Sequence, residues 1–336
     1  RSRGLGDVYK RQALAVLAAS GAAMAQSSVT LYGRVDLSVG SIKDKGSSAA
    51  NKSSITKMFQ GGDAGLTTSR WGLRGTEDLG GGLKASFKLE NRFNPDDGTS
   101  QDPFFKGEST VGLSGEFGEF KFGRSTTQYD DVIALSSSSS LWDSAYTPST
   151  NGVYKSGGDY SSRFNNKITY NLPNLGGIYG GVDFAFDEDT SKKAEQTAVK
   201  LGYKTGPLNV ALGYQEEKTV ASYTALSGAY DFGVASVSGG YVMRDSKTNA
   251  NEDTEFALGV NVPFGAVAVS AGFASSKTEA GSATTGKASG FAFGATYALS
   301  KRTKAYAGYR AVQVKNAAGT KTKNETLYSV GLRHDF

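Results

Sequence analysis

Hydrophobic and polar residues alternate one by one along most of this chain. In the segment 82–93, Leu83, Ala85, Phe87, Leu89 and Phe93 fall on one face, and Lys84, Ser86, Lys88, Glu90 and Arg92 on the other. Near the start, Val29, Leu31, Val35, Leu37 and Val39 oppose Thr30, Tyr32, Arg34, Asp36 and Ser38. At the end, Tyr328, Val330, Leu332, His334 and Phe336 oppose Ser329, Gly331, Arg333 and Asp335. A period of two is that of a β-strand, and a helical period does not fit it. The same reading gives sixteen strands: 28–39, 67–77, 82–93, 106–117, 119–126, 161–172, 177–187, 196–204, 208–217, 223–232, 234–243, 253–262, 265–275, 289–299, 303–313 and 326–336.

The connections alternate in length. Short ones such as 77–81, 173–176, 205–207 and 263–265 are rich in the Gly, Asn and Asp that tight turns require. Long ones fall at 40–66, 94–105, 127–160, 188–195, 218–222, 244–252, 276–288 and 314–325. Seven short turns and eight long loops are what sixteen meandering strands leave when both ends lie on one side, a sorting that a soluble sandwich has no reason to adopt. Strands near ten residues suit a tilted bilayer crossing. Open sheet edges cannot persist in hydrocarbon, so the first strand must pair with the last. The fold expected is all-β: a sixteen-stranded antiparallel transmembrane β-barrel with a polar lumen. Lipid-facing Phe117, Phe120, Tyr170, Tyr203, Phe232 and Phe264 fall near short turns, where an aromatic girdle belongs.

Composition adds exclusions. The 336 residues include 44 Gly but only 6 Pro, in keeping with many strands and few irregular elements. No apolar run is long enough for a membrane helix. Lys10 and Arg11, the small apolar stretch Ala13–Ala25 and the closing Ala23-Met24-Ala25 read as a signal peptide over 1–25, with residues 1–9 foreign to it. Residues 26–336 then form one barrel domain. Without residues 1–25 the balance is 33 basic against 31 acidic residues, which gives no argument for nucleic acid. There is no cysteine and one histidine, so neither a thiolate metal site nor a zinc centre is expected, and no cofactor.

Alternation also assigns the inner wall. Arg34, Arg70, Arg74, Lys84, Lys88, Arg92, Arg163 and Lys167 fall on polar faces, and Asp130 and Asp131 open the longest loop, 127–160. A loop of that length is either functional or disordered, and its serine run 136–140 leaves both open. A Ser–Asp–His triad would need His334, which sits on the lipid face, so no enzyme is expected.

At this point the chain resembles the general trimeric porins of Gram-negative bacteria, in particular those of beta-proteobacteria. The stretches that carry the likeness are Ser28-Val-Thr-Leu-Tyr-Gly33, Thr68-Ser-Arg-Trp-Gly-Leu-Arg-Gly-Thr-Glu-Asp-Leu-Gly-Gly-Gly-Leu83, Val111-Gly-Leu-Ser-Gly-Glu-Phe-Gly118, Phe122-Gly-Arg124, Arg163-Phe-Asn-Asn-Lys-Ile-Thr-Tyr170 and Val330-Gly-Leu-Arg-His-Asp-Phe336. The resemblance implies a homotrimer in the outer membrane, in contact with lipid and lipopolysaccharide, that passes ions and small hydrophilic solutes by diffusion. It implies that loop 127–160 folds into the lumen as a constriction, and that loop 94–105 reaches a neighbouring barrel. Arg34, Arg70 and Arg163 stand at the family's basic wall positions, and Asp130, with Asp131 beside it, at its acidic loop. Where the family often has a further arginine, this chain has Lys106-Gly107-Glu108, so Lys106 is a possible substitute. Terminal Phe336 is expected to be part of the signal read by the barrel-assembly machinery. A small excess of wall bases, which Arg74, Lys88 and Lys167 enlarge, leads us to expect a weakly to moderately anion-selective pore. If Asp143 and Asp159 also enter the lumen, that excess disappears. Other readings are an adhesive barrel with a closed lumen, a barrel enzyme, and a sugar-specific porin. The last would need a track of inward aromatics, and Tyr32 and Tyr179 are too scattered to supply one.

Overall fold

The computed structural model describes residues 28–46, 52–136, 160–186 and 195–336. Its strands are β1 (Ser28–Lys45), β2 (Lys52–Gln60), β3 (Arg70–Gly80), β4 (Leu83–Asn94), β5 (Thr99–Ser100), β6 (Glu108–Gly115), β7 (Gly118–Thr126), β8 (Arg163–Asn171) and β9 (Ile178–Ala185). They continue as β10 (Gln196–Thr205), β11 (Leu208–Glu217), β12 (Ala221–Asp231), β13 (Ser236–Ser246), β14 (Asn251–Phe264), β15 (Val267–Ala280), β16 (Ala283–Ala298), β17 (Thr303–Asn316) and β18 (Lys321–Asp335). Among the described residues, two helices, α1 (Gly61–Ala64) and α2 (Gln128–Ser136), interrupt the series.

Each strand pairs antiparallel with its neighbour, and β1 closes on β18 from Arg34↔Asp335 to Asp44↔Glu325. The other edge of β1 is shared. Its first part pairs with β3 (Ser28↔Thr76 to Arg34↔Arg70), its later part with β2 (Leu37↔Gln60 to Lys45↔Lys52). So β2 and β3 are one barrel strand broken by α1, and the two-residue β5 is a flap on the end of β4. That leaves the sixteen barrel strands expected. No helix among the described residues is long and apolar enough to cross a membrane.

The wall is inverted relative to a soluble protein. Outward positions such as Val29, Leu31, Val111, Leu201, Leu226, Phe291, Val330 and Leu332 are exposed, whereas Asp36, Lys167, Asp183, Arg244, Asp253 and Arg310 are buried on the inner side. This is the arrangement of a barrel whose solvent outside is hydrocarbon. Phe117, Phe120 and Tyr170 stack beside one short turn, with centroids 6.1 and 4.7 Å apart. Two-residue turns at this rim put Gly206 at φ 50° and Gly265 at φ 61°, open positions where a side chain would be strained.

Several long connections are shorter than expected. The stretch 276–288 is strand except for a two-residue turn at 281–282, and β14 and β18 begin at Asn251 and Lys321. The stretch 40–66 is not one loop either, since β1 runs on to Lys45, β2 follows, and residues 61–69 turn into the lumen. Beyond the bilayer both faces of a strand meet water, so alternation vanishes while pairing continues. The expected signal peptide over 1–25, residues 137–140 of the serine run, Asp143 and Asp159 lie outside the described residues.

Candidate functional site

Helix α2 lies inside the barrel. Tyr129, Val132, Ile133 and Ser136 form its buried face, at the spacing of one helical stripe. They pack on the inner faces of β10 to β13, which are lined with Ala198, Ala211, Ala221, Tyr223, Ala225 and Val242. Small residues let the helix approach: a Cβ at Gly213 would stand 2.9 Å from a Val132 methyl. Tyr129, Tyr160 and Tyr223 stack on one another beneath it. Among the described residues, these interior aromatics bind the helix to the wall. The helix N-terminus is held twice. Asp183 accepts the Gln128 N–H at 2.5 Å, and the Thr127 hydroxyl accepts the Asp130 N–H at 3.1 Å. Asp130 accepts the Tyr160 hydroxyl at 2.7 Å, while Asp131 reaches Lys200 of β10 at 2.5 Å.

The basic candidates gather on the other wall. Arg34, Arg70 and Arg92 are direct cross-strand partners on β1, β3 and β4, so three guanidinium groups share one level. Arg163 extends the row past Gly107, whose carbonyl accepts its Nε at 2.9 Å. Among the described residues, counter-charges are few. Glu90 stands 3.6 Å from both Arg70 and Arg92 and accepts the Tyr32 hydroxyl at 3.1 Å. Asp335 lies 3.3 Å from Arg34 and 3.0 Å from Arg333. Two inward pairs toward the short-turn rim, beyond Gly72↔Glu90, Arg74 opposes Lys88 and lies over the Tyr32 ring at 5.2 Å. Among the described residues, neither Arg74 nor Arg163 has a carboxylate partner.

Three candidates have neighbours that the sequence pattern does not show. Lys167 does not line open lumen: its ammonium is fully buried, 3.0 Å from Asp183, and also bonds the Thr126 carbonyl. The start of α2 covers that position, which no local pattern reveals. Lys88 is matched by Glu108 at 2.6 Å, so the pair adds no net charge. At Lys106 the anchored group is the carbonyl, which accepts Arg124 Nε at 3.1 Å. Conversely, Arg92 belongs to the row and Lys200 neutralises Asp131. Arg92 carried the right signal, its polar-face position in 82–93, whereas Lys200 needed the helix to be in place. Phe336 closes the seam: its backbone exchanges two bonds with Gly33, both 3.0 Å, and its ring covers the space where a Gly33 side chain would stand.

The comparisons with known proteins agree with this architecture. A family model described as Gram-negative porin matches residues 13–317. The chain is 37% identical to outer membrane porin protein 32 of Delftia acidovorans, over 96% of this chain and 98% of that one. It is 32% identical to an outer membrane porin protein of Bordetella pertussis, over 94% and 96% respectively. Among solved structures, an anion-selective porin from Comamonas acidovorans superposes with a TM-score of 0.77 at 30% identity, covering 93% of this chain and all of that one. The OmpT barrel of Vibrio cholerae, at 18% identity and a TM-score of 0.67 over 92% of this chain and 98% of that one, shares the fold.

Proposed function

The chain belongs to the Gram-negative porin family, an outer-membrane diffusion barrel and not an enzyme, and we propose that it is a weakly to moderately anion-selective general pore. The observation that carries the selectivity is the arginine row of Arg34, Arg70, Arg92 and Arg163 opposite α2. Most other inner charges cancel in pairs: Lys167–Asp183, Lys88–Glu108, Lys200–Asp131, Arg244–Asp253 and Arg310–Glu325. Among the described residues, what remains is weighted toward the row, where Glu90, Asp335 and Asp130 fall short of four guanidinium groups and Arg74 adds to the excess, against the buried carboxylates Asp36 and Glu217 elsewhere on the inner wall. A narrow basic passage concentrates anions and repels cations. The anion selectivity named for the structurally similar Comamonas porin supports the same reading. Reversal potentials in planar bilayers under a KCl gradient test it, and a clear cation preference would overturn it.

Two partners complete the proposal. A homotrimer fits the outward flap at the long-loop rim, where Phe104, 54% exposed, meets Trp71 edge-on at 6.3 Å and offers an apolar contact to a second barrel. Lipopolysaccharide fits a row of lysines on the outer face near that rim. Lys277 opposes Lys287, and Lys287 opposes Lys315. Tyr241 and Phe256 lie beside them in a groove of about 390 Å³. Directly opposed like charges are destabilising. Lys277 has Glu279 at 2.6 Å, and the phosphates of the outer leaflet lipid supply the rest.

A further inference from the structure

Residues 61–69 form a second inward element, on the wall shared by β1, β17 and β18. Phe59, Ala64 and Leu66 pack with Ala292, Tyr306 and Leu327, a small apolar core inside a polar lumen. At its centre is Asp36 of β1, fully buried. One carboxylate oxygen accepts the Leu66 and Thr67 N–H groups at 3.0 and 2.9 Å, the other the Tyr306 hydroxyl at 2.5 Å. Ser38 and Ser329 both donate to the Ala64 carbonyl, at 2.9 and 2.5 Å. Gly61 and Gly65 have no room for a Cβ against Asp36.

The far end of this turn holds Arg70. Its Nε donates to the Thr68 carbonyl at 3.2 Å and a terminal nitrogen to the Thr67 hydroxyl at 2.9 Å. A single residue therefore connects the carboxylate to the guanidinium: Thr67 bonds Asp36 through its N–H and Arg70 through its hydroxyl. We propose that Asp36 is a positioning residue for selectivity: its carboxylate pins the 61–69 turn to the inner wall, and the turn aims Arg70 into the arginine row. The proposal rests on the reading of Arg70 as a selectivity base.

Charge alone and positioning predict opposite signs. As a bare lumen anion, Asp36 opposes anion passage, so Asp36→Asn would raise the anion:cation permeability ratio. As the holder of the turn, it supports Arg70, so the same change lowers the ratio. The experiment measures reversal potentials for the full-length barrel carrying Asp36→Asn, Arg70→Gln and both, with Tyr306→Phe as a milder variant that keeps the carboxylate. Insertion is checked by heat-modifiable gel mobility. We expect Asp36→Asn to lower the ratio about twofold and Tyr306→Phe to lower it less. In the Arg70→Gln background Asp36→Asn should not lower it. An equal rise on Asp36→Asn in both backgrounds, or no change, overturns the proposal. The chain has no native cysteine, so maleimide labelling of Leu66→Cys, a buried position, reports release of the turn independently. Labelling should be roughly tenfold faster when Asp36→Asn is added, and an unchanged rate also refutes the proposal. If Arg70→Gln by itself leaves selectivity unaltered while labelling accelerates, the error lies in the role given to Arg70 and not in the Asp36 anchor.

Discussion

Arg163→Gln is the most direct perturbation of the arginine row, because among the described residues no carboxylate pairs with this guanidinium. An ion passing about 6 Å from it in a water-like dielectric is worth about 0.7 kcal/mol, which screening at about 0.1 M salt roughly halves. Anions and cations shift in opposite directions, so loss of one such charge lowers the anion:cation ratio about threefold. At 1 M salt, where the screening length is about 3 Å, the same loss should change the ratio by only about 1.4-fold. Reversal potentials across a KCl gradient, taken at both salt levels, read this directly. The matched control is the double change Lys88→Gln with Glu108→Gln, which removes a pair 2.6 Å apart and should leave the ratio near its starting value. An Arg163→Gln pore as anion-selective as the parent at low salt would refute the assignment of the row. So would equal shifts from Arg163→Gln and from the neutral pair.

Lys167→Met should destabilise the folded barrel by about 3–5 kcal/mol, since Asp183 would stay buried without its ammonium, and adding Asp183→Asn should recover part of the loss. Unfolding temperature in detergent checks this, and an unchanged value for the single variant speaks against the pairing. Deleting Phe336 removes both seam bonds to Gly33 and the ring over it, and should sharply reduce outer-membrane levels while export across the inner membrane continues. Wild-type levels of the truncated protein would contradict that. Changing Lys277, Lys287 and Lys315 together to Gln should reduce co-purifying phosphorylated lipid A, whereas equal retention of phosphorylated and dephosphorylated lipid by the parent would remove the lysine row from the account.

Within the hydrocarbon band, the sequence by itself determined the strands, their faces and the barrel. There each side chain has two environments, lipid or lumen, and only alternation satisfies both. The same logic placed Arg34, Arg70 and Arg163 on the inner wall and Phe336 at the closing edge. Beyond the band that constraint lapses. Segments such as 275–279 or Lys43-Asp44-Lys45 are polar on both faces, so their strand character was invisible until pairing extended into them. The tertiary structure alone decided which charges are paired. Lys167 and Lys88 read like Arg163 in sequence, but Asp183, Glu108 and the path of α2 set them apart. The inward turn over 61–69 is likewise a decision of distant partners, since Asp36, Tyr306 and Ser329 meet it only after β1 has closed on β18. A local pattern reports the solvent a residue faces. The neighbour that neutralises or positions it is fixed by strand register across the whole ring.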